Sequence, residues 1–185
     1  MNPNLQTIES APDASRPLLE GTRRSLGFVP NLFAVFANSP AVLQAYQALS
    51  GAFAKTSLTP TEQEVVTIAA SVENGCDYCV AAHTTIGESR RVERPVLDAL
   101  RDGEPLGDPK LEALRRFTLE VIRRRGWVAE DEQRAFLAAG YTEAQALEVL
   151  LGVTMKTLSN FTNHLAATPL DAAFGANAWS RAVAA

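Results

Sequence analysis

The sequence has little of several residue types, and each shortage narrows what the protein can be. Its 185 residues include only two cysteines, too few for a disulfide-rich scaffold, and only two histidines. A chain of this length needs neither disulfides nor a metal to fold. Its longest apolar stretches, such as residues 149–155, are far shorter than the ~20 residues of a membrane-spanning helix. The formal net charge is −4, whereas binding nucleic acid through its phosphates requires a basic surface.

The N-terminal segment carries no recognisable targeting signal. The first twenty residues are polar and lack a basic start followed by an apolar run, so no secretory signal is predicted. We therefore expect a soluble, cytoplasmic protein with no nucleic-acid or membrane partner. Under reducing conditions, two cysteines favour redox catalysis or metal binding over a structural disulfide.

Helix start signals recur along the chain. One start signal is Ser39 followed by proline, and two others are capping boxes that begin at Thr59 and Thr142. Apolar residues at helical spacing follow each of the three. Further helices are predicted over about 77–90, after Pro95, from about 111 to 122, and over 130–138. Residues 102–109 are rich in glycine and proline and are predicted to form a loop.

No segment alternates apolar and polar residues over the length of a strand, so no sheet is predicted. We predict one all-α domain over residues 1–185, a helix bundle with an N-terminal helical layer over 1–55 and a core over 56–168. Pro169 is predicted to end the longest helix. One side of that helix is apolar and contains Leu147, Leu150, Thr154, Leu158, Phe161 and Leu165.

The most informative segment contains two cysteines three residues apart and a histidine four residues later. Gly75 is predicted to end one helix, so Cys76 stands at the start of the next, where unpaired backbone N–H groups favour a thiolate. Cys76, Cys79 and His83 stand at i, i+3 and i+7 and share one helix face. His83 could accept a proton from Cys79 or donate one to a leaving oxygen, and Cys76 could form a disulfide with an oxidised Cys79.

Other uses of these residues stay open at this point. The cysteines could be small buried apolar residues, or they could bind zinc with both histidines, His83 and the distant His164, as the remaining ligands. A c-type haem is excluded, because it requires a histidine directly after Cys79, where Val80 stands. A non-enzymatic zinc-binding or small-molecule-binding protein is therefore the main alternative to an enzyme.

The longest predicted helix also carries a polar line. Thr157, Asn160 and His164 stand at i, i+3 and i+7 on it. The line could be one wall of a site or the solvated face of an amphipathic helix. We favour the solvated face.

The segments from Leu58 to Glu64 and from Gly75 to His83 together resemble the core of the AhpD-like, or carboxymuconolactone decarboxylase, superfamily. Within it the chain looks most like the peroxidase-related proteins, which have segments similar to residues 26–33 and 160–164. The resemblance implies an all-α AhpD-like fold that assembles as a homo-oligomer.

The resemblance also implies a chemistry, namely thiol-dependent reduction of an alkyl hydroperoxide. Cys79 would be the peroxidatic thiol and Cys76 the resolving one, and Glu64 and His83 would relay protons to the sulfur. No bound cofactor is implied, and the electron donor would be an external dithiol such as a protein-bound lipoyl group. Spacing alone cannot choose between Glu64 and Glu73; the family's glutamate corresponds to Glu64, twelve residues before Cys76.

Two further activities are compatible with the same resemblance. General disulfide reduction would use the same residues, and the sequence does not separate it from peroxide reduction. Decarboxylation ranks lower, because the true lactone decarboxylases lack the pair of cysteines.

The chain departs from the alkylhydroperoxidase pattern between the cysteines. Tyr78 stands where that enzyme has a second relay histidine. An ordinary tyrosine titrates near pH 10 and is a poor proton shuttle at neutral pH. Since Tyr78 is predicted to lie on the helix side away from Cys79, we expect it to have a packing role.

Overall fold

The structure is a computed structural model that describes residues 3–181. Its helices are α1 (Arg16–Leu26), α2 (Asn31–Phe36), α3 (Pro40–Phe53), α4 (Pro60–Glu73), α5 (Asp77–Ser89), α6 (Arg94–Asp102), α7 (Pro109–Arg123), α8 (Glu130–Ala138), α9 (Glu143–Ala166) and a 3₁₀ helix (Ala172–Asn177). Within the described range there is no β-strand, so the prediction of an all-α fold is confirmed. No helix in this range is long and apolar enough to cross a membrane.

Helix α4 lies at the centre of the bundle. Its side chains from Glu62 to Ser71 are all buried, and it packs against α5, α6, α7 and α9. Helix α9 approaches it closely at Gly152, where a Cβ atom would lie 2.8 Å from a methyl of Val66 and 2.7 Å from the ring of Phe53. Because any side chain at this position would collide with α3 and α4, glycine permits the approach that brings α9 against the cysteines.

The local start signals behave largely as predicted. Thr59 and Thr142 each accept a hydrogen bond from the backbone N–H three residues later, and the reciprocal bond of each capping box is present. Ser39 precedes α3, but its hydroxyl makes no capping hydrogen bond. The start of α3 therefore depends on Pro40, whose fixed φ suits the first helical position.

A sharp turn connects α4 to α5. Gly75 has a φ of 68°, a left-handed conformation that glycine adopts without strain. The backbone N–H of Cys76 donates to the carbonyl of Ser71 over 2.9 Å, and Cys76 is the N-cap residue of α5. The two cysteines therefore begin a core helix, as predicted.

The apolar side of α9 faces outward. Leu147 is 69% exposed, Phe161 56% and Leu165 57%. The opposite side of the helix is buried against α3, α4 and α5 and consists of Val149, Gly152, Val153, Met155, Lys156, Ser159, Asn160, Asn163 and Ala166. Helix α9 thus directs a partly polar side into the bundle and an apolar side to the surface.

The C-terminal segment after α9 extends the core beyond residue 168. Its 3₁₀ helix packs against α5, and Phe174 is buried. The indole N–H of Trp179 donates to the backbone carbonyl of Arg101 over 3.0 Å. No sequence signal had predicted this segment. The division of the domain into an N-terminal layer and a core at residue 55 stays a prediction.

Candidate active site

A cavity of about 380 Å³ lies where α2, α3, α4, α5 and α9 meet. Cys79 borders it, whereas Cys76 does not. Most of the wall is apolar or aromatic and includes Leu32, Phe33, Tyr46, Phe53, Tyr78, Ile86, Met155 and Phe174. An apolar molecule in this cavity would therefore lie against one of the two cysteines.

Both thiols are free and buried, Cys76 being 1% and Cys79 2% exposed. The side-chain amide of Asn163, on α9, donates to Sγ of Cys79 over 3.2 Å and approaches Sγ of Cys76 at 3.8 Å. Ser159, one turn earlier on α9, places its hydroxyl oxygen 3.9 Å from Sγ of Cys79. Helix α9 therefore supplies the polar partners of a dithiol that α5 carries.

The surroundings give the two thiols different acidities. Burial raises the pKa of Cys79, but hydrogen bonding from Cys76 and the positive charges of Lys156 and His83 outweigh it and leave that pKa well below the usual value. Hydrogen bonding to Cys79 and burial raise the pKa of Cys76. The dithiol therefore holds its negative charge on Cys79, and thiolate is the reactive form of cysteine.

Glu64 and His83 form a hydrogen-bonded pair beside the cavity. Nδ1 of His83 lies 2.9 Å from Oε2 of Glu64, whose side chain is 2% exposed. The other carboxylate oxygen accepts from Arg90 over 3.0 Å, and Thr67 donates to Oε2 over 3.0 Å. Burial raises the pKa of Glu64, but the charge and hydrogen bond of His83 and the charge of Arg90 outweigh it, and the pKa is lowered.

An ionised Glu64 fixes the imidazole through Nδ1, so Nε2 remains for exchange with a substrate. Both Glu64 and His83 line the same cavity as Cys79. Among the described side chains, however, the hydrogen bond of His83 goes to Glu64 and not to either cysteine. His83 and Cys79 therefore line the same cavity without a hydrogen bond between them, and a proton passing from one to the other would travel through a bound molecule.

The structure distinguishes the two glutamates that spacing could not separate. Glu73 forms an ion pair with Arg123 on the surface, with Oε1 2.9 Å from Nε, and it does not line the cavity. Glu64 is the buried one. Arg90, which holds Glu64 from the far end of α5, had no recognisable sequence signal.

Tyr78 is buried, as a packing role requires, and its ring lies edge-on to Phe174. It nevertheless borders the cavity alongside Cys79, so the expectation that it lies on the side of the helix away from that cysteine is wrong. Its hydroxyl donates to Asp171 over 2.5 Å and accepts from the backbone N–H of Leu32 over 3.3 Å. Burial and the hydrogen bond to Asp171 raise the pKa of Tyr78, so it is no proton shuttle at neutral pH.

The polar line predicted on α9 is divided between two environments. His164 is exposed, as the solvated face predicts. Asn160, by contrast, is fully buried, donates to the hydroxyl of Ser71 over 3.4 Å and accepts from the amide of Asn74 over 2.9 Å. For Asn160 the expectation of a solvated face was therefore wrong.

Sequence reasoning missed the polar residues of α9 that face the dithiol. Lys156, Ser159, Asn160 and Asn163 stand at i, i+3, i+4 and i+7 and are buried together. That spacing marks one helix face, and it was available in the sequence. The competing line through His164 obscured it, since both lines share Asn160.

A zinc site would need ligands that the fold does not gather. Across residues 3–181, no three histidine, cysteine or acidic side chains cluster as they would around a metal ion. His164, the fourth ligand in the zinc hypothesis, lies on the exposed side of α9. Asn163 approaches the sulfurs instead.

The fold and the site define an all-helical dithiol protein, in which a CxxC at the start of a buried helix adjoins a carboxylate–imidazole pair. The model of the carboxymuconolactone decarboxylase family matches residues 40–120. Over these residues the chain is similar to the AhpD-like, or carboxymuconolactone decarboxylase, superfamily. Among proteins of curated function, none matches the chain significantly.

Solved structures resemble most of the chain. An uncharacterised peroxidase-related protein from Ralstonia eutropha JMP134, with an alkylhydroperoxidase AhpD core, is 26% identical at a TM-score of 0.83, over 92% of each chain. A peroxidase-related protein from Silicibacter sp. TM1040 is 19% identical at a TM-score of 0.78, over 94% of this chain and 96% of the other.

The debrominase Bmp8, solved in complex with 2,3,4-tribromopyrrole, is also 19% identical at a TM-score of 0.78, over 96% of each chain. At such identities the Silicibacter protein and Bmp8 show a common fold and nothing more about activity.

Proposed function

We propose that the protein reduces organic hydroperoxides with its own dithiol. The observation that carries the proposal is the position of Cys79, which borders an apolar cavity in surroundings that favour its thiolate. The Glu64–His83 pair borders the same cavity. A nucleophile, a proton donor and an apolar binding space thus meet at one place, which is what peroxide reduction requires.

In the first step, the Cys79 thiolate attacks the terminal oxygen of the hydroperoxide. The sulfur–oxygen bond forms as the O–O bond breaks, and the alkoxide that leaves takes a proton from His83 while Glu64 stabilises the imidazole. Cys79 is oxidised to a sulfenic acid and the hydroperoxide is reduced to an alcohol.

In the second step, the Cys76 sulfur attacks the sulfenic sulfur of Cys79. A disulfide forms, and the hydroxyl of the sulfenic acid leaves as water after taking the thiol proton of Cys76. Cys76 and Cys79 stand one helical turn apart, and Asn163 approaches both sulfurs, which supports their pairing. An external dithiol then reduces the disulfide and is itself oxidised.

The wall of the cavity supports an organic substrate over hydrogen peroxide. Aromatic and aliphatic side chains such as Phe33, Phe53 and Ile86 form most of it. Burying the alkyl or aryl part of a hydroperoxide against them contributes roughly 25 cal/mol per Å² of apolar surface. Hydrogen peroxide has no such part, so we expect it to react more slowly.

The electron donor of this proposal is an external dithiol, such as a lipoyl group on a partner protein. Both sulfurs are buried, and a thin, flexible dithiol arm could reach Cys79 through the cavity. Two sulfurs on one arm would also complete the exchange without a second encounter. The support for a lipoyl group in particular comes from the family resemblance.

A second candidate activity is reductive dehalogenation. The aromatic wall of the cavity, with Tyr46, Tyr78 and Phe174 beside Cys79, suits a flat, apolar ring, and Bmp8 shares the fold. The reaction would replace a carbon–halogen bond with carbon–hydrogen, release halide and oxidise the dithiol to a disulfide. General disulfide reduction would use the same cysteines.

The test is a count of free thiols and an intact mass after one equivalent of cumene hydroperoxide, hydrogen peroxide, a brominated pyrrole or a small disulfide. Peroxide reduction predicts rapid loss of both thiols with cumene hydroperoxide, and a sulfenic acid that can be trapped in Cys76→Ser but not in Cys79→Ser. Halide release with the brominated ring would favour dehalogenation. Thiols that survive both peroxides would refute the proposal, and the zinc content would then test the metal-binding alternative.

The proposal includes self-association through α9. The apolar face of α9 consists of the exposed Leu147, Leu150, Phe161 and Leu165 and the half-buried Leu158, with threonines beside them. Such a face is unusual on a monomer. A second copy of the chain is the partner that suits it, because a two-fold axis brings the same apolar face against itself.

A further inference from the structure

Lys156 is a buried charged residue that neither the sequence analysis nor the peroxide mechanism uses. It is fully buried on α9, and its Nζ has no hydrogen-bond partner among the described residues. An ammonium group removed from water is strongly unfavourable unless a negative charge compensates it. The buried Lys156 therefore points to an anion in the cavity that it lines.

The groups that surround the cavity identify this anion. Helix α4 contributes Glu64, but His83 and Arg90 already hold its two carboxylate oxygens. Helix α3 contributes Tyr46, and burial raises the pKa of its hydroxyl, which stays neutral. The remaining candidate is the dithiol on α5.

The geometry of α9 supports the same assignment. Ser159 stands three residues after Lys156 and Asn163 seven residues after it, so the three share one face of the helix. Ser159 and Asn163 both contact Sγ of Cys79. Lys156 thus lies on the side of α9 that is turned toward the sulfurs.

We propose that Lys156 is the counter-cation of the dithiol, a positioning residue that keeps Cys79 as a thiolate in the reduced protein and then favours the thiolate of Cys76 once Cys79 is oxidised. The proposal deepens the proposed function and rests on it for the role of Cys79.

The charges of the pair agree with this assignment. Burial lowers the pKa of Lys156, but the negative charge of Cys79 acts against burial, and the pKa is raised. The Lys156 ammonium in turn contributes to the low pKa of Cys79. Each group therefore favours the charged form of the other, as in a buried ion pair.

The test follows the rate at which iodoacetamide alkylates Cys79 as the pH is raised, in a Cys76→Ser background with and without Lys156→Met. Methionine keeps the length and removes the charge. We expect its profile to shift to higher pH, with about a tenfold loss of rate at neutral pH for each unit of the shift. Lys156→Arg should restore the original midpoint, and Lys55→Met, at an exposed site, should leave it unchanged. An unchanged midpoint in a folded Lys156→Met variant would overturn the proposal.

A second measurement leaves Lys156 unchanged and serves if Lys156→Met fails to fold. The chain has three lysines, Lys55, Lys110 and Lys156, so nitrogen NMR of the lysine ammonium groups can follow each one. In the Cys76→Ser background, alkylating Cys79 with iodoacetamide removes the one negative charge of the site's sulfurs, and we expect the pKa of Lys156 to fall while those of Lys55 and Lys110 stay constant. No change at Lys156 would overturn the proposal.

Neither measurement uses a peroxide. A protein that ignores hydroperoxides but shows the shifted alkylation profile would refute the proposed function and leave the pairing of Lys156 with the dithiol intact. A protein that reduces hydroperoxides, but whose alkylation profile is not shifted by Lys156→Met, would support the proposed function and refute the pairing of Lys156 with the dithiol.

Discussion

The side-chain amide of Asn163 donates a hydrogen bond to Sγ of Cys79 over 3.2 Å, across 84 residues of sequence. The amide comes from α9 and the sulfur from the first turn of α5, and both are buried. A donor of this kind stabilises a thiolate more than a thiol. The reactivity of Cys79 therefore depends on how α9 packs as well as on its own helix.

The first prediction concerns this hydrogen bond. Asn163→Leu removes the donor, so we expect the pKa of Cys79 to rise by about one to two units, given that a hydrogen bond to a charged group contributes roughly 1.5–3 kcal/mol. The ultraviolet absorbance of the thiolate during a pH titration measures the change. His164→Ala alters the neighbouring, exposed position and is the control, and equal midpoints in the two variants would contradict the prediction.

The second prediction concerns stability in acid. The pKa of Glu64 is lowered in the folded protein from its ordinary value of 4.5, so its ionised form contributes stability above about pH 4.5. That contribution is lost as the pH falls through this value toward the lowered folded pKa. Urea unfolding between about pH 3 and pH 7 should therefore show a steeper loss in wild type than in Glu64→Gln, which lacks the titrating group.

Arg90 provides the matching control for Glu64. Arg90→Gln keeps the carboxylate and its bond to His83 but removes a cation that lowers the pKa of Glu64. Its stability should therefore fall by less than in wild type as the pH drops below about 4.5, and the fall should end at a higher pH. If Glu64→Gln follows the wild-type curve, the carboxylate is not the group that titrates.

The third prediction separates a structural from a catalytic role for Tyr78. Its hydroxyl joins α5 to the C-terminal segment through Asp171. Tyr78→Phe should lower the free energy of unfolding by about 1–3 kcal/mol, because it removes the buried hydrogen bonds to Asp171 and from the backbone N–H of Leu32. The pH profile of the reaction with cumene hydroperoxide should keep its shape, since a tyrosine with a raised pKa stays protonated at neutral pH and does not take part in the proton transfer. A changed profile at unchanged stability would instead assign Tyr78 to the proton relay.

The fourth prediction concerns self-association. Phe161 is 56% exposed in the middle of the apolar face of α9. Phe161→Glu would place two like charges near a two-fold axis, so we expect it to dissociate the oligomer into monomers in sedimentation equilibrium. Leu5→Glu changes an apolar residue of similar exposure, 43%, outside that face, and should leave the mass unchanged. A wild-type protein that sediments as a monomer would refute the proposed interface.

Local signals in the sequence determined most of the helical framework. The capping boxes at Thr59 and Thr142 and the glycine at position 75 act within one turn of themselves, so their effect can be predicted without the rest of the chain. For the same reason the sequence placed Cys76, Cys79 and His83 on one helix. Residue spacing alone did not determine the choice of Glu64 over Glu73; the family resemblance did.

The tertiary structure alone decided what faces the sulfurs. Lys156 and Asn163 are more than seventy residues from Cys79 in sequence, and which side of α9 they occupy depends on the close approach at Gly152. A helix with an apolar side usually buries it, but here that side is exposed and the polar one packs against the dithiol. Periodicity gives the faces of a helix, and only the packing of its neighbours decides which face is buried.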